Sequence, residues 1–328
     1  MLRNIVLIGI LLVSCANQDP LSIDNLESPR GLFPMDNGNI LIAEVAAGRI
    51  LEWDPDSGSL EVLFYNLPYT KEGPELVPAG VSAVVHFDQL TYFIVGEHRG
   101  KGFREVYKAQ SNSTPIPITG QEIQGLDPPN RITNPYDIVN APTGGFYVSD
   151  SGRDAIWHIS ENGAIKDFMI FDSYPFTMED GTVVQLDVVP TGIVMGLDDA
   201  LYVASLTGFP FPAGAGHVYK LQDLNEDGDA LDPGESTIYA SGFTAATDLA
   251  FCEDGTLLVS EFSSDMKSLS EKGYGGANEF KGRLVQWDEG AIAVLKQELI
   301  SPTAIAVDGE GKIFISEEFA GRVTEFRK

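Results

Sequence analysis

The chain has 328 residues, 43% of them hydrophobic, and its 21 Lys and Arg against 48 Asp and Glu give a formal net charge of −27. That hydrophobic content supports a large core and excludes wholesale disorder beyond the first two dozen residues. The acidic balance argues against nucleic acid as a partner, since phosphate binding needs a basic face, and it offers no attraction to anionic lipid headgroups.

Met1 to Asn4 carries one charge, Arg3, and precedes the apolar run Ile5 to Leu12. The pattern reads as a secretory signal, too short for a stop-transfer helix. Its end, Leu12-Val13-Ser14-Cys15, resembles the bacterial lipobox, which implies a signal peptide at 1–14 and a lipidated Cys15; an ordinary secretory signal with an incidental cysteine is the alternative. The expected address is extracytoplasmic, periplasmic or cell-surface, with the membrane reached through two or more acyl chains on Cys15. Without residues 1–14 the chain keeps 20 basic and 48 acidic residues, a net charge of −28. Cys252 then has no partner for an intrachain disulfide, and in Ala250-Phe251-Cys252 it reads as a small buried side chain.

Residues 15–27 contain one short apolar alternation, Leu21, Ile23 and Leu26, and from residue 28 onward one pattern recurs: a Pro- or Ala-led apolar strand, a tight turn, a second apolar strand, an acid and a Gly-Arg bend. The first unit opens at Pro29-Arg30-Gly31-Leu32 and reaches Glu44; the second opens at Pro78-Ala79-Gly80 and reaches Glu97. The third opens at Asn134-Pro135-Tyr136-Asp137-Ile138 and reaches Asp150, and the fourth opens at Pro190-Thr191-Gly192-Ile193 and reaches Ser205. The fifth opens at Ala246-Thr247-Asp248-Leu249 and reaches Glu261, and the sixth, from Ser301, reaches Glu317. These six positions are spaced by 53, 53, 55, 56 and 56 residues. Such a period, with about four short strands per unit, predicts an all-β, six-bladed β-propeller over residues 28–328. The last unit stops after three strands, so the N-terminal segment is expected to supply the fourth and close the ring, which removes two sheet edges.

In a propeller the starts of the first strands and the ends of the second strands converge on one mouth of the central channel. That mouth should carry Glu44, Glu97, Asp150, Glu261 and Glu317, with Asp137 and Asp248 near the strand entries. Clustered carboxylates need compensation, for which Arg30, Arg49, Arg99, Arg153 and Arg322 are candidates. Three readings stand: pairing with local arginines and backbone amides, a divalent ion held in the channel, or a polar ligand. Two long connections share this mouth: Leu206 to Gly216, with Phe209 and Phe211, and Phe262 to Gly282, with Met266 and Tyr274. Long loops on a rigid scaffold are where binding resides.

Asp223-Leu224-Asn225-Glu226-Asp227-Gly228-Asp229 repeats the oxygen-ligand alternation of an EF-hand-type loop. Position twelve is Gly234 and the acid Glu235 is thirteenth. Calcium held by Asp223, Asn225, Asp227, Asp229 and Glu235 is the expectation for the insertion 223–235, against a solvated acidic turn. Joining the third and fourth strands of the fourth unit, it should lie on the face opposite the mouth, where its calcium would be structural. None of His86, His98, His158 and His217 sits in a Ser or Cys nucleophile motif.

The recurring Pro-x-Gly-Leu/Ile, Ile/Leu-Tyr-Val-Ala and Gly-Arg-Ile segments resemble NHL-type propellers and the lactonase and strictosidine synthase-like group. Val189-Pro190-Thr191-Gly192, Leu206-Thr207-Gly208-Phe209-Pro210-Phe211-Pro212, Tyr239-Ala240-Ser241-Gly242-Phe243-Thr244 and Asp248-Leu249-Ala250-Phe251 together resemble the ScyD/ScyE family. That resemblance implies an extracytoplasmic propeller and brings no catalytic residues with it. Lactonase-like relatives hold channel calcium with Glu, Asn and Asp; Glu44 matches the acid, while Thr191-Gly192 stands where an Asn-Gly is expected. The leading expectation is a module that binds a small molecule or protein through the mouth. The alternative is a metal-dependent lactone or ester hydrolase using Glu44, Asp137, Asp150 and Asp248.

Overall fold

The computed structural model describes residues 20–71, 77–98, 100–120, 132–266 and 280–327. Among them are six four-stranded antiparallel sheets and one two-stranded hairpin. Each four-stranded sheet is one blade, and the inner strands, in order, are Pro29–Pro34, Val81–Phe87, Pro135–Asn140, Pro190–Met195, Ala246–Phe251 and Pro302–Val307. Each packs beside the next and the last returns to the first, so the ring is closed. Closure uses Ser22–Ile23, which pairs with Arg322–Phe326 as Ser22 to Thr324 and Ile23 to Val323. The expected six-bladed propeller with an N-terminal closing strand is therefore what the chain forms.

The second strands Ile40–Glu44, Phe146–Asp150, Leu201–Ser205, Leu257–Glu261 and Ile313–Glu317 are buried at every residue. Both faces of each sheet lie against neighbouring blades, which is why these strands read as continuous apolar runs rather than as a strict alternation. The core is accordingly six wedges between adjacent blades. One, between blades 6 and 1, joins Trp53 and Phe314 edge to face at 5.7 Å with Val323 and Leu26. Cys252, half-buried, packs against the wedge between blades 5 and 6. The hairpin of Tyr174–Thr177 and Val183–Leu186 interrupts the passage from blade 3 to blade 4 and, among the described residues, has no counterpart in the other units.

Every inner strand shifts register after its first residue, between Pro29 and Leu32 in blade 1 and between Pro302 and Ala304 in blade 6, for example. Such bulges re-aim side chains beside functional sites. Here they bring Arg30, Ser82, Tyr136, Thr191, Thr247 and Thr303 to equivalent places on the channel wall, each followed by Gly31, Ala83, Asp137, Gly192, Asp248 or Ala304. The small residues allow close approach: a Cβ on Gly192 would lie 2.2 Å from Asp248 Oδ1, and one on Gly31 would lie 2.6 Å from the Ala83 Cα.

Hydroxyl groups stitch the blades together at this level. Ser82 Oγ donates to the Pro135 carbonyl at 3.4 Å, Thr191 Oγ1 to the Ala246 carbonyl at 3.0 Å and Thr247 Oγ1 to the Pro302 carbonyl at 2.9 Å. A second row runs from Ser149 Oγ to the Thr191 carbonyl at 2.6 Å and from Ser316 Oγ to the Arg30 carbonyl at 2.9 Å. Buried carbonyls need such partners, and each bond here joins one blade to the next.

Candidate functional site

The expected ring of acids is present but committed to the scaffold. Glu44, Asp150, Glu261 and Glu317 are all buried at the ends of their second strands. Each accepts a hydrogen bond from a backbone amide seventeen residues earlier, that of Glu27, Thr133, Thr244 or Ile300. Three of them also hold an arginine: Glu44 pairs with Arg49, Glu261 with Arg283, and Glu317 with Arg322 through two bonds at 2.6 and 2.8 Å. Asp150 accepts from Thr133 Oγ1, the amides of Asn134 and Gly152, and Trp157 Nε1 at 3.0 Å. These four carboxylates fasten the entry of a blade to its own second bend, and none lines the cavity described below.

Blade 2 departs from the expected alignment. Its second strand is Leu90–Val95, and Val95 pairs with Val81 where Glu261 pairs with Ala246. The position equivalent to the acids is thus Val95, and Glu97 falls two residues further, in the bend, where it lines the mouth of the channel. The Gly96-Glu97 step resembles the strand ends of the other blades, but the strand stops at Val95.

The mouth itself is a cavity of about 380 Å³ to which all six blades contribute. In its floor Arg30 from blade 1 donates to Glu318 from blade 6, Nε to Oε2 at 3.1 Å and Nη2 to Oε1 at 2.7 Å. Glu318 lies in the 3-10 turn Glu318–Ala320 and is 3% exposed. Tyr136 stands beside this pair, and burial, reinforced by the Glu318, Asp248 and Asp137 charges and opposed by Arg30, pushes its hydroxyl well above the ordinary phenol range. Glu97, Asn134 and Ser151 complete the polar lining. Leu206, Phe262, Met266 and Phe319 supply apolar walls.

A second cavity of about 260 Å³ occupies the other end of the channel, and Arg30, Tyr136 and Thr303 line both. Asp137 and Asp248 line this second cavity. Asp137 accepts from the Ile138 amide at 2.8 Å and from the Ile193 amide of blade 4 at 2.9 Å. Asp248 accepts from Leu249 at 2.8 Å and from Ile305 of blade 6 at 2.6 Å. Burial raises Asp137 to about 6; burial and then the Asp137 charge hold Asp248 well above the usual carboxylate range. Two buried carboxylates facing one channel resist joint ionisation.

Of the two aromatics in the loop after Ser205, Phe211 packs on the apolar cluster of Phe262, Met266 and Phe280, while Phe209 is 73% exposed. Neither lines the cavity; Leu206 is the residue of that loop that does. Met266 also lines it, whereas Tyr274, Arg99 and Cys15 lie outside the described residues. The four histidines stand apart from the cavity: His86 bonds Thr91, His158 bonds the Gly144 carbonyl, His98 packs tilted against Phe103 at 4.7 Å and His217 against Tyr174 at 5.2 Å. Tyr136, Glu318, Thr247 and Thr303 were not among the expected site residues, and Thr191 entered only as the residue standing where the lactonase pattern has an asparagine. The signal was there: of six equivalent bulge positions, four are Ser or Thr and only Arg30 and Tyr136 are long.

The loop 223–235 folds as a tight acidic turn. Asp223 Oδ1 and Oδ2 accept from the Asp227 and Gly228 amides at 3.2 and 2.8 Å, and Gly228 takes a φ of +91°. Glu235 accepts from Leu224, Asn225 and Asp232, closing the loop. Asn225 Nδ2 donates to Asp227 at 3.1 Å and to Asp232 at 2.7 Å, and Lys166 lies 3.3 Å from Asp229. Among the described residues no three His, Cys, Asp or Glu side chains are grouped so as to hold a metal ion.

The sequence matches no protein-family model and no curated protein. Solved structures match along nearly the whole chain. Virginiamycin B lyase from Staphylococcus aureus is 15% identical, with a TM-score of 0.57 over 94% of this chain and 98% of its own. A gluconolactonase from Xanthomonas campestris is 13% identical, with a TM-score of 0.61 over 93% and 88%. The PQQ-bound aldose sugar dehydrogenase from Streptomyces coelicolor is 13% identical, with a TM-score of 0.56 over 92% and 94%. These three carry different chemistries on one scaffold, so the likeness speaks for architecture alone: the chain is similar to lyase- and lactonase-type propellers in fold.

Proposed function

We propose that this protein is an extracytoplasmic propeller, anchored by lipid at Cys15, that binds a small organic molecule in its mouth cavity, in keeping with the ScyD/ScyE resemblance and an NHL-type repeat. The observation that carries the reading is the Arg30–Glu318 pair set with Tyr136 in the floor of a cavity of about 380 Å³. Ligand sites are cavities of about 300–1,000 Å³, largely apolar, with a few convergent polar groups. Desolvation cancels much of a buried ion pair's attraction, so its place at a cavity wall favours a role beyond stability.

The hydrolase alternative would need Glu44, Asp137, Asp150 and Asp248 as metal ligands or bases. All four accept backbone amide bonds, and Glu44 and Asp150 stand away from the cavity. A divalent ion in the channel would have to take Asp137 and Asp248 from those amides. A panel of lactones and aryl esters, assayed with and without EDTA, separates the readings: metal-dependent turnover abolished by Asp248→Asn supports the hydrolase and overturns the binding module. For the module itself, native mass spectrometry of the protein isolated from its own cell envelope should show a bound small molecule that Leu206→Trp, which fills the cavity, removes. An adduct retained by Leu206→Trp would contradict it.

The insertion 223–235 is assigned a structural calcium. The amide of Asn225 lies between the Asp227 and Asp232 carboxylates, the place a cation would take, and the oxygens of Asp223, Asp227 and Asp229 come from the same turn. Calcium there would neutralise the turn and tie the loop to blade 4; it would take no part at the mouth.

A further inference from the structure

The mouth cavity is lined in blades 4, 5 and 6 by the equivalent residues Thr191, Thr247 and Thr303. A threonine offers a ligand either its hydroxyl or its methyl. Here the hydroxyls are used within the scaffold. Thr191 Oγ1 meets the carbonyls of Ala204 at 3.2 Å and Ala246 at 3.0 Å. Thr247 Oγ1 lies 3.0 Å from Ser260 Oγ and 2.9 Å from the Pro302 carbonyl. Thr303 Oγ1 lies 3.1 Å from Ser316 Oγ. The three residues are 1%, 4% and 4% exposed, and with their hydroxyls engaged in the scaffold the methyl is the group left over for a ligand.

The charges point the same way. Arg30 is matched by Glu318 at 2.7 Å and the Tyr136 phenol is held neutral by burial. An anion entering here meets Glu97 and Glu318 in the lining of a chain of net charge −27. A cation must give up its water beside Glu318, which already binds Arg30. Uncompensated charge is the costliest thing to bury.

We infer that the cavity takes an uncharged amphiphile. Its apolar body lies on the methyl groups of Thr191, Thr247 and Thr303 and against Leu206 and Phe262, and its one hydrogen-bonding end meets Arg30 and Tyr136. This rests on the mouth being a ligand site, and it makes the threonines specificity-determining through the group that hydrogen bonding leaves over.

The test uses prodan, a neutral naphthalene ketone whose fluorescence shifts to the blue in apolar surroundings, with its sulfonated analogue and glucose as competitors. The protein is the chain from Ala16 on, which carries every described strand, the closing strand and all six core wedges. Prodan should bind, Leu206→Trp should abolish the signal, and neither competitor should displace it. Each Thr→Ser change keeps the hydroxyl bond and deletes the methyl, and should weaken prodan about fourfold, the worth of one buried methylene-sized group. Each Thr→Val change keeps a methyl and should leave affinity within about twofold, even where melting falls from the lost blade-to-blade bond. Should a Val variant fail to fold, nuclear Overhauser contacts from the prodan ring to the three threonine methyls of the unaltered protein give the same answer: their presence supports the inference, their absence overturns it. Val variants weakened and Ser variants unchanged, or the sulfonate or glucose binding at least as well as prodan, overturn the inference while leaving the mouth a ligand site. Prodan bound equally by Leu206→Trp, or no binding by any of the three probes, overturns the ligand-site reading with it.

Discussion

Arg30 and Glu318 are separated by 288 residues and meet at 2.7 Å across the seam where the ring closes. One comes from the first inner strand and the other from the last second-to-third bend, so the pair spans blades 1 and 6 while forming part of the cavity floor. Glu318→Ala leaves Arg30 without its carboxylate and should cost about 2–4 kcal/mol of unfolding free energy. Arg30→Met combined with Glu318→Met removes both charges and should restore most of that loss. Chemical denaturation of the single and double variants measures it; a double variant no more stable than Glu318→Ala would show that the charges themselves are not at issue.

The channel acids give a pH dependence of definite sign. Asp137 and Asp248 both have folded-state values above the unfolded carboxylate value of about 3.9. The folded state therefore binds more protons than the unfolded chain as pH rises above about 4; Asp137's contribution is complete below that and lost as pH rises through about 6, and Asp248's is lost in the same direction as pH rises. Arg30 and the Tyr136 phenol share the surroundings of the pair, and neither changes charge in this window. Asp248→Asn should flatten the curve and narrow its stability deficit against the unaltered protein between pH 5 and 8. Melting curves parallel at every pH would contradict the assignment.

The ring acids serve the scaffold, which sets their mutational signature. Glu317→Ala strands Arg322 and the Ile300 amide and should cost about 2–4 kcal/mol. Glu317→Gln, which keeps one acceptor, should cost less. Neither loss should change on adding EDTA or calcium, because the partners are an arginine and an amide; a chelator-dependent difference would place a metal in the ring after all.

Calcium at 223–235 predicts a rise in melting temperature on adding the ion, removed by Asp223→Ala with Asp227→Ala. Titration calorimetry reads the same site directly. Because this loop joins the third and fourth strands of blade 4, prodan binding at the mouth should be unaffected by the double change. No heat of binding, or heat unaltered by the double change, would leave the turn a self-contained acidic cap.

A period of about 55 residues and the unpaired apolar residues Leu21 and Ile23 were enough to predict six blades and the way they close, because each strand buries both faces and so writes its length as an apolar run. The acids at the strand ends were equally visible, but their partners were not. Whether Glu261 faces the channel or Arg283 depends on a bond between residues 22 apart in the chain, and nothing in the local pattern reports it. Glu97 was misplaced because a Gly-Glu step looks like the end of a strand that had already finished at Val95. The bulge residues were hidden for a different reason: Arg30, Tyr136 and Thr191 reach the wall through a register shift, which breaks the alternation that would otherwise sort inward from outward positions.

The central claim is that the protein meets its ligand at the mouth rather than in the acidic ring or at the calcium turn. Hydrogen–deuterium exchange of the chain from Ala16 on, with and without prodan, tests it most directly. Slowed exchange confined to the segments around Arg30, Tyr136, Leu206, Phe262 and Glu318 is the predicted result. Slowing centred on 223–235, or spread along the outer strands with none at those five positions, would contradict it.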